Sequence, residues 1–190
     1  MTTSRRDFVL GTLALAAGAP SRADEPPWDR LRRGDLVLLL RHAETEPGLG
    51  DPPGFRLDDC ATQRNLSAAG REHARRIGER LRAGKVPVAM VFTSPWCRCR
   101  ETAKLAFGQA EDWEPLASFF DYPHREQEFN ERVKKRIAGY ASRKPGGNVV
   151  MVTHNVNIAA LTRHSVGTGE LVVVRPDGCC DARPAERFAL

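Results

Sequence analysis

Three aliphatic runs punctuate the chain, at residues 36–40, 88–93 and 149–153. None alternates apolar with polar positions, so each predicts a strand buried on both faces, as in the middle of a parallel sheet. Residues 116–120 predict a weaker strand or extended segment, and residues 170–175 a final strand. Helical spacing fills the gaps between them. After Ser67, a good N-cap, the apolar or small residues Gly70, Ala74, Ile77, Gly78 and Leu81 form one stripe of a helix running to about Ala83. Its other face carries Arg71, Arg75, Glu79 and Arg82, which reads as solvated, and His73 reads as surface or packing. Ser94 with Pro95 predicts the start of the next helix, placing Arg98 about one turn in, with Trp96, Leu105 and Phe107 as core. Phe129, Val133, Ile137 and Tyr140 define a further helical stripe, and residues 156–162 a last short helix. Strands alternating with helices predict an α/β domain with a parallel sheet. No internal repeat and no second domain is visible.

Between the first strand and the first long helix lies an interruption rich in Pro, Gly and Asp, residues 45–63. Connections of this length are uncommon and usually carry function. Its place directly after His42 would let it wall a site.

The first residues read differently from the rest. Ser4-Arg5-Arg6-Asp7-Phe8-Val9-Leu10 matches the twin-arginine export pattern, and a short apolar run follows, broken by Gly11 and Gly18. That run is too short to span a bilayer. Ser21-Arg22-Ala23 then offers small residues at the −3 and −1 positions of a signal-peptidase cut. The expectation is a signal peptide over residues 1–23, a mature domain over 24–190, and a periplasmic or secreted location. Of the formal net charge of +5, residues 1–23 carry +2, which leaves +3 for the mature chain. So mild a balance does not demand nucleic acid as a partner and suits arginines gathered around a small anion. Five cysteines fit an oxidising compartment. A bridge from Cys60 to Cys97 or Cys99 would tie the long loop to the Arg98 segment, while the adjacent Cys179 and Cys180 could pair only with strain.

Chemistry gathers where the strands end. Arg41 and His42 follow the first run, Arg98 follows the second, and His154 follows the third. In open α/β sheets ligands bind beyond the carboxyl ends of the strands. Two guanidiniums and two imidazoles released there make a socket for a tetrahedral oxyanion.

Those motifs resemble the histidine phosphatase superfamily, which shares its fold with the phosphoglycerate mutases. Leu40-Arg41-His42-Ala43-Glu44-Thr45 resembles the family's Arg-His-Gly opening, with Ala43 in place of Gly. Thr93-Ser94-Pro95-Trp96-Cys97-Arg98-Cys99-Arg100-Glu101-Thr102-Ala103 resembles its Ser-Pro-x-x-Arg-Ala-x-x-Thr-Ala element, and Val152-Thr153-His154 its second-histidine strand. The resemblance implies a single-domain three-layer α/β/α sandwich with a mostly parallel sheet. It implies that His42 is the nucleophile, carrying phosphate as a covalent phosphohistidine. Arg41, Arg98 and His154 would bind the phosphoryl oxygens, His154 better as a cation, and no metal or other cofactor would be needed. The family's leaving-group acid lies after the Arg98 helix; here Asp121 is favoured, with Glu126, Glu128, Glu44 or water as alternatives. The expected partner is a phosphorylated small molecule or phosphoprotein, with no nucleic acid and no stable membrane insertion after signal cleavage. A non-catalytic phosphate-binding module is a competing reading, a phosphomutase a weaker one. A metal hydrolase built on His42 and His154 is weaker still, because two arginines would repel the cation.

Overall fold

The computed structural model describes residues 28–143 and 145–176, and the backbone of 187–189. The expected signal peptide and the Cys179–Cys180 pair lie outside the described residues.

The central strands are β1 (Val37–Arg41), β2 (Val88–Thr93), β3 (Glu111–Asp112), β4 (Asn148–Thr153), β5 (Glu170–Val174) and β6 (Arg187–Ala189). They form one sheet in the order β3-β2-β4-β1-β5-β6. The pairs β1–β4, β2–β4 and β2–β3 are parallel, while β1–β5 and β5–β6 are antiparallel. The aliphatic runs explain the centre. Every residue of β4, and all of β1 but Arg41, is buried, so both sheet faces are covered.

The helices are α1 (Trp28–Arg33), α2 (Ala68–Ala83), α3 (Cys97–Phe107), α4 (Glu126–Arg143) and α5 (Asn155–Thr162). α2 packs on α3, and α4 on α5. This is the α/β/α sandwich with a mostly parallel sheet. The Ser67 hydroxyl accepts from the Gly70 amide at 3.0 Å, and the five-residue stripe read from the sequence is the buried face of α2. Gly70 has a second reason to be glycine. A Cβ there would lie 1.9 Å from the Glu44 carbonyl oxygen, so the helix start could not press against the segment that leaves His42.

Several expectations change. Ser94 does not cap α3; the helix begins three residues later, and Trp96 takes the cap position. The Ser94 hydroxyl instead accepts from the Trp96 amide and bonds His154. β2 is buried only at its end, because β3 pairs just with Phe92 and Thr93 and leaves Ala89 and Met90 open to solvent. Residues 114–116 form a turn of 3-10 helix, so no strand occupies 116–120. On α2, the charged face stays largely exposed at Arg75, Glu79 and Arg82, while Arg71 pairs with Glu101 and Arg82 bonds the Ala106 carbonyl, so two of its side chains also reach α3.

Candidate active site

The sheet register brings the polar groups together. Arg41 pairs with Thr153 across β1 and β4, and the His42 amide donates to the Thr153 carbonyl at 3.0 Å. His42 and His154 therefore leave adjacent strand ends, with ring centroids 5.4 Å apart. The Ser94 amide donates to the Val152 carbonyl at 2.9 Å, which aligns the end of β2 with the same edge. Gly169 closes the other side. Its amide donates to the carbonyls of Arg41 and His42, its φ is +72°, and a Cβ would strike the His73 ring.

His42 is 4% exposed. Its Nδ1 lies 2.8 Å from the Ala43 carbonyl oxygen. A carbonyl can only accept, so Nδ1 carries the proton and the lone pair sits on Nε2. Burial, with the charges of Arg98, Arg41 and Arg64 added, pushes the imidazole down to about 3 against the pull of the Ala43 bond. A neutral ring with a fixed tautomer is the form a nucleophile needs. His154 is equally buried, and burial, His42 and the same three arginines hold it well below its ordinary value. The unliganded His154 is thus neutral rather than cationic. Its Nε2 is 2.8 Å from the Ser94 hydroxyl, so Nδ1 is the nitrogen left for a ligand.

The guanidiniums are anchored at one nitrogen each. Arg41 Nη1 donates to the Val166 carbonyl at 2.6 Å. Arg98 Nη1 donates to both oxygens of Asp51, at 2.8 and 3.0 Å. Arg41 Nε and Arg98 Nε are buried donors with no acceptor among the described residues. A buried donor left unpaired costs about 1–3 kcal/mol. A phosphoryl group, with three anionic acceptors, has the chemistry to satisfy both.

Two residues escaped the sequence reading. Asp51 is buried on Arg98. Arg64 places its guanidinium against the Thr45 hydroxyl at 2.5 Å and the Gly50 carbonyl at 2.7 Å, and its charge acts on both histidines. The one available signal was their position, inside a long loop directly after the candidate nucleophile. That loop is bolted down as expected in outline. Cys60 is bonded to Cys97, and Cys99 is a buried free thiol. Burial pushes the Cys99 thiol up to about 12, which makes it inert.

Asp121 stands apart from these bonded groups, exposed just after Phe120, whose ring edge comes 4.0 Å from a Cβ built on Gly50. Glu128 is engaged on the surface by Arg125 and Arg132. Glu126 and Glu44 are exposed, with Glu44 accepting from the Ser67 hydroxyl at 3.4 Å. Among the described residues, no group of three His, Cys, Asp or Glu is arranged to hold a metal ion, and no helix is long and apolar enough to cross a membrane.

Residues 37–117 match the family model of the histidine phosphatase superfamily, branch 1. Arg41, His42 and Arg98 fall inside the matched segment, and His154 beyond it. Solved structures with the same fold include the mycobacterial glucosyl-3-phosphoglycerate phosphatase, at 18% identity and TM-score 0.56 over 82% of this chain and 96% of that one. The α-ribazole phosphatase of Shigella flexneri is similar at 17% identity and TM-score 0.53, over 80% and 96% of the two chains. The protein histidine phosphatase SixA, in a complex with tungstate, is similar at 17% identity and TM-score 0.53, over 76% and 91%. At such identities the likeness establishes the fold. No curated protein matches the chain in sequence.

Proposed function

We propose that this chain, which carries the histidine phosphatase superfamily sequence over residues 37–117 and that superfamily's fold, hydrolyses phosphomonoesters or phosphohistidine through a covalent phosphohistidine on His42. One observation carries the reading: His42 is neutral, with its proton held on Nδ1 by the Ala43 carbonyl, beside two guanidiniums whose buried Nε donors lack acceptors among the described residues. The Arg41 and Arg98 forks would neutralise the non-bridging oxygens, which otherwise repel a nucleophile. His42 Nε2 then attacks phosphorus, the bond from phosphorus to the leaving oxygen breaks, and the alcohol departs with a proton. Water attacks the phosphohistidine, the P–N bond breaks, and orthophosphate is released with His42 regenerated. His154 donates through Nδ1, either neutral or as the cation that a phosphate dianion would favour. No metal enters these steps.

Asp51 is the acid nearest Arg98, but it cannot supply the leaving-group proton. Burial pushes its carboxyl up, yet the bonds from Arg98, Arg64 and Trp96 together outweigh burial and hold it below the ordinary carboxylate range. Asp121 is the proposed donor, because its neighbour Phe120 abuts the loop that carries Asp51. The Asp121→Asn variant should lose about 10²-fold on alkyl phosphates and little on aryl phosphates, whose leaving groups need less help. Equal losses on both would remove Asp121 from the role. The expected location, periplasmic or secreted after twin-arginine export, completes the proposal.

Turnover of a generic aryl phosphate by the mature chain, with and without chelator, tests the reading. Hydrolysis indifferent to chelator and abolished in His42→Ala is expected. Phosphate binding without turnover would make the chain a binding module, and loss of activity on chelation would make it a metal hydrolase.

A further inference from the structure

The Asp51 carboxylate has 1% exposure and no part in the chemistry above. Both its oxygens accept from Arg98 Nη1, while Trp96 Nε1 donates to Oδ2 at 3.0 Å and the Arg64 amide to Oδ1 at 2.9 Å. Trp96 in turn sets its ring edge-on to His154, with centroids 5.5 Å apart. A carboxylate standing in for substrate phosphate would take two guanidinium nitrogens at once, as paired oxyanions do. Asp51 takes one. Its remaining bonds go to an indole and a backbone amide inside its own loop and the start of α3. Arg98 Nε is left as a buried donor, and Nη2 has no acceptor among the described residues.

We propose that Asp51 is a positioning residue, fixing the rotation of the Arg98 guanidinium so that its Nε–Nη2 edge is the one offered to the phosphoryl group. A guanidinium on a flexible stem otherwise loses rotamer entropy on every binding event; a second partner behind it removes that cost beforehand. The same tether explains how a polar loop with little regular structure beyond the 3-10 turn Cys60–Thr62 can form one wall of the site. The inference rests on the phosphatase reading, since it assigns the free edge of Arg98 to a phosphoryl group.

The test is inorganic phosphate binding by calorimetry, alongside kcat and KM on an aryl phosphate, for wild type, Asp51→Asn, Trp96→Phe, Arg98→Ala and the Asp51→Asn/Arg98→Ala double variant. Asp51→Asn should weaken phosphate binding and lower kcat/KM by about tenfold to a hundredfold, the range seen when a partner that orients a ligand-binding group is lost. Trp96→Phe keeps the ring against His154 and removes one donor to Asp51, so it should lose less in the same direction. If Asp51→Asn does not fold, Trp96→Phe carries the test. The double variant should bind no worse than Arg98→Ala alone, because Asp51 acts through Arg98. Tighter phosphate binding by Asp51→Asn would show a built-in competitor and overturn the proposal, as would unchanged binding or full additivity. A wild type that neither binds phosphate nor turns over would sink the phosphatase reading with it; an active wild type with an indifferent Asp51→Asn sinks the positioning role alone.

Discussion

Arg41, His42 and His154 stand at the ends of β1 and β4, whereas Asp51 and Arg64 stand on the loop between β1 and α2. The strand-end groups are placed by backbone register, which the buried aliphatic runs on both sides enforce. The loop groups are placed by tethers. Asp51 holds Arg98 and Trp96, the Gln63 side chain accepts from the Cys97 amide at 3.0 Å, and Cys60 is bonded to Cys97. All three tethers end within residues 96–98, at the start of α3. The difference teaches how an irregular segment can serve a site that needs fixed geometry. The sheet places His42, the proposed nucleophile, and a few buried bonds lend the loop the rigidity it lacks.

The largest expected effect separates binding from folding on the sheet side. Arg41→Ala should cut kcat/KM by about 10²–10³-fold, the usual cost of one charge-stabilising donor, with the fold intact. A loss under about tenfold in steady-state assays would mean that Arg41 serves the Val166 carbonyl and little else. On the loop side, replacing Cys60 and Cys97 by serine opens a closure spanning a sequence separation of 37. Chain entropy predicts a loss of about 3–4 kcal/mol, read from urea midpoints. The accompanying fall in activity should be much smaller than that of Arg41→Ala, because Asp51 and Gln63 still hold. An equal fall would erase the distinction between the two sides.

Acid sharpens the comparison from the sheet side again. The folded chain holds His42 down at about 3, against 6.5 for a free imidazole, chiefly through burial. Between those values the unfolded chain binds a proton that the folded chain refuses, so stability rises with pH and is lost as pH falls below 6.5. The contribution of His42 alone should be about 2 kcal/mol between pH 6.5 and pH 5. His42→Asn, which does not titrate, should make that part of the urea-midpoint profile shallower, leaving the share that the equally buried His154 contributes. An unchanged slope would mean that His42 is charged or exposed in the folded chain.

What could be read in advance follows the same division. The strand ends were legible because consecutive aliphatic residues leave few alternatives, and a cation or imidazole directly after such a run must emerge at the sheet edge. The buried stripe of α2 was legible from its spacing, and Ser67 from its chemistry as a cap. β3 was not, since Glu111 and Asp112 carry no apolar pattern and pair only because β2 ends beside them. Asp51 and Arg64 were not, since a charged residue in a Pro- and Gly-rich loop looks solvated until its partners are known; Asp51 finds Trp96 and Arg98 far along the chain, and Arg64 finds Thr45 and Gly50 only where the loop folds back on itself. Ser94 was misread for a related reason. The same hydroxyl suits a helix cap or a histidine, and only the fold brings His154 within reach.

The central claim is that the Nε2 of a neutral His42 takes the phosphoryl group. Rapid acid-free quenching of the enzyme with labelled aryl phosphate, followed by peptide mapping, tests it directly. The account predicts phosphate on His42 that is stable to alkali and lost in acid, and absent from His42→Ala. Phosphate found on a serine or on another histidine, or full turnover by His42→Ala, would contradict it.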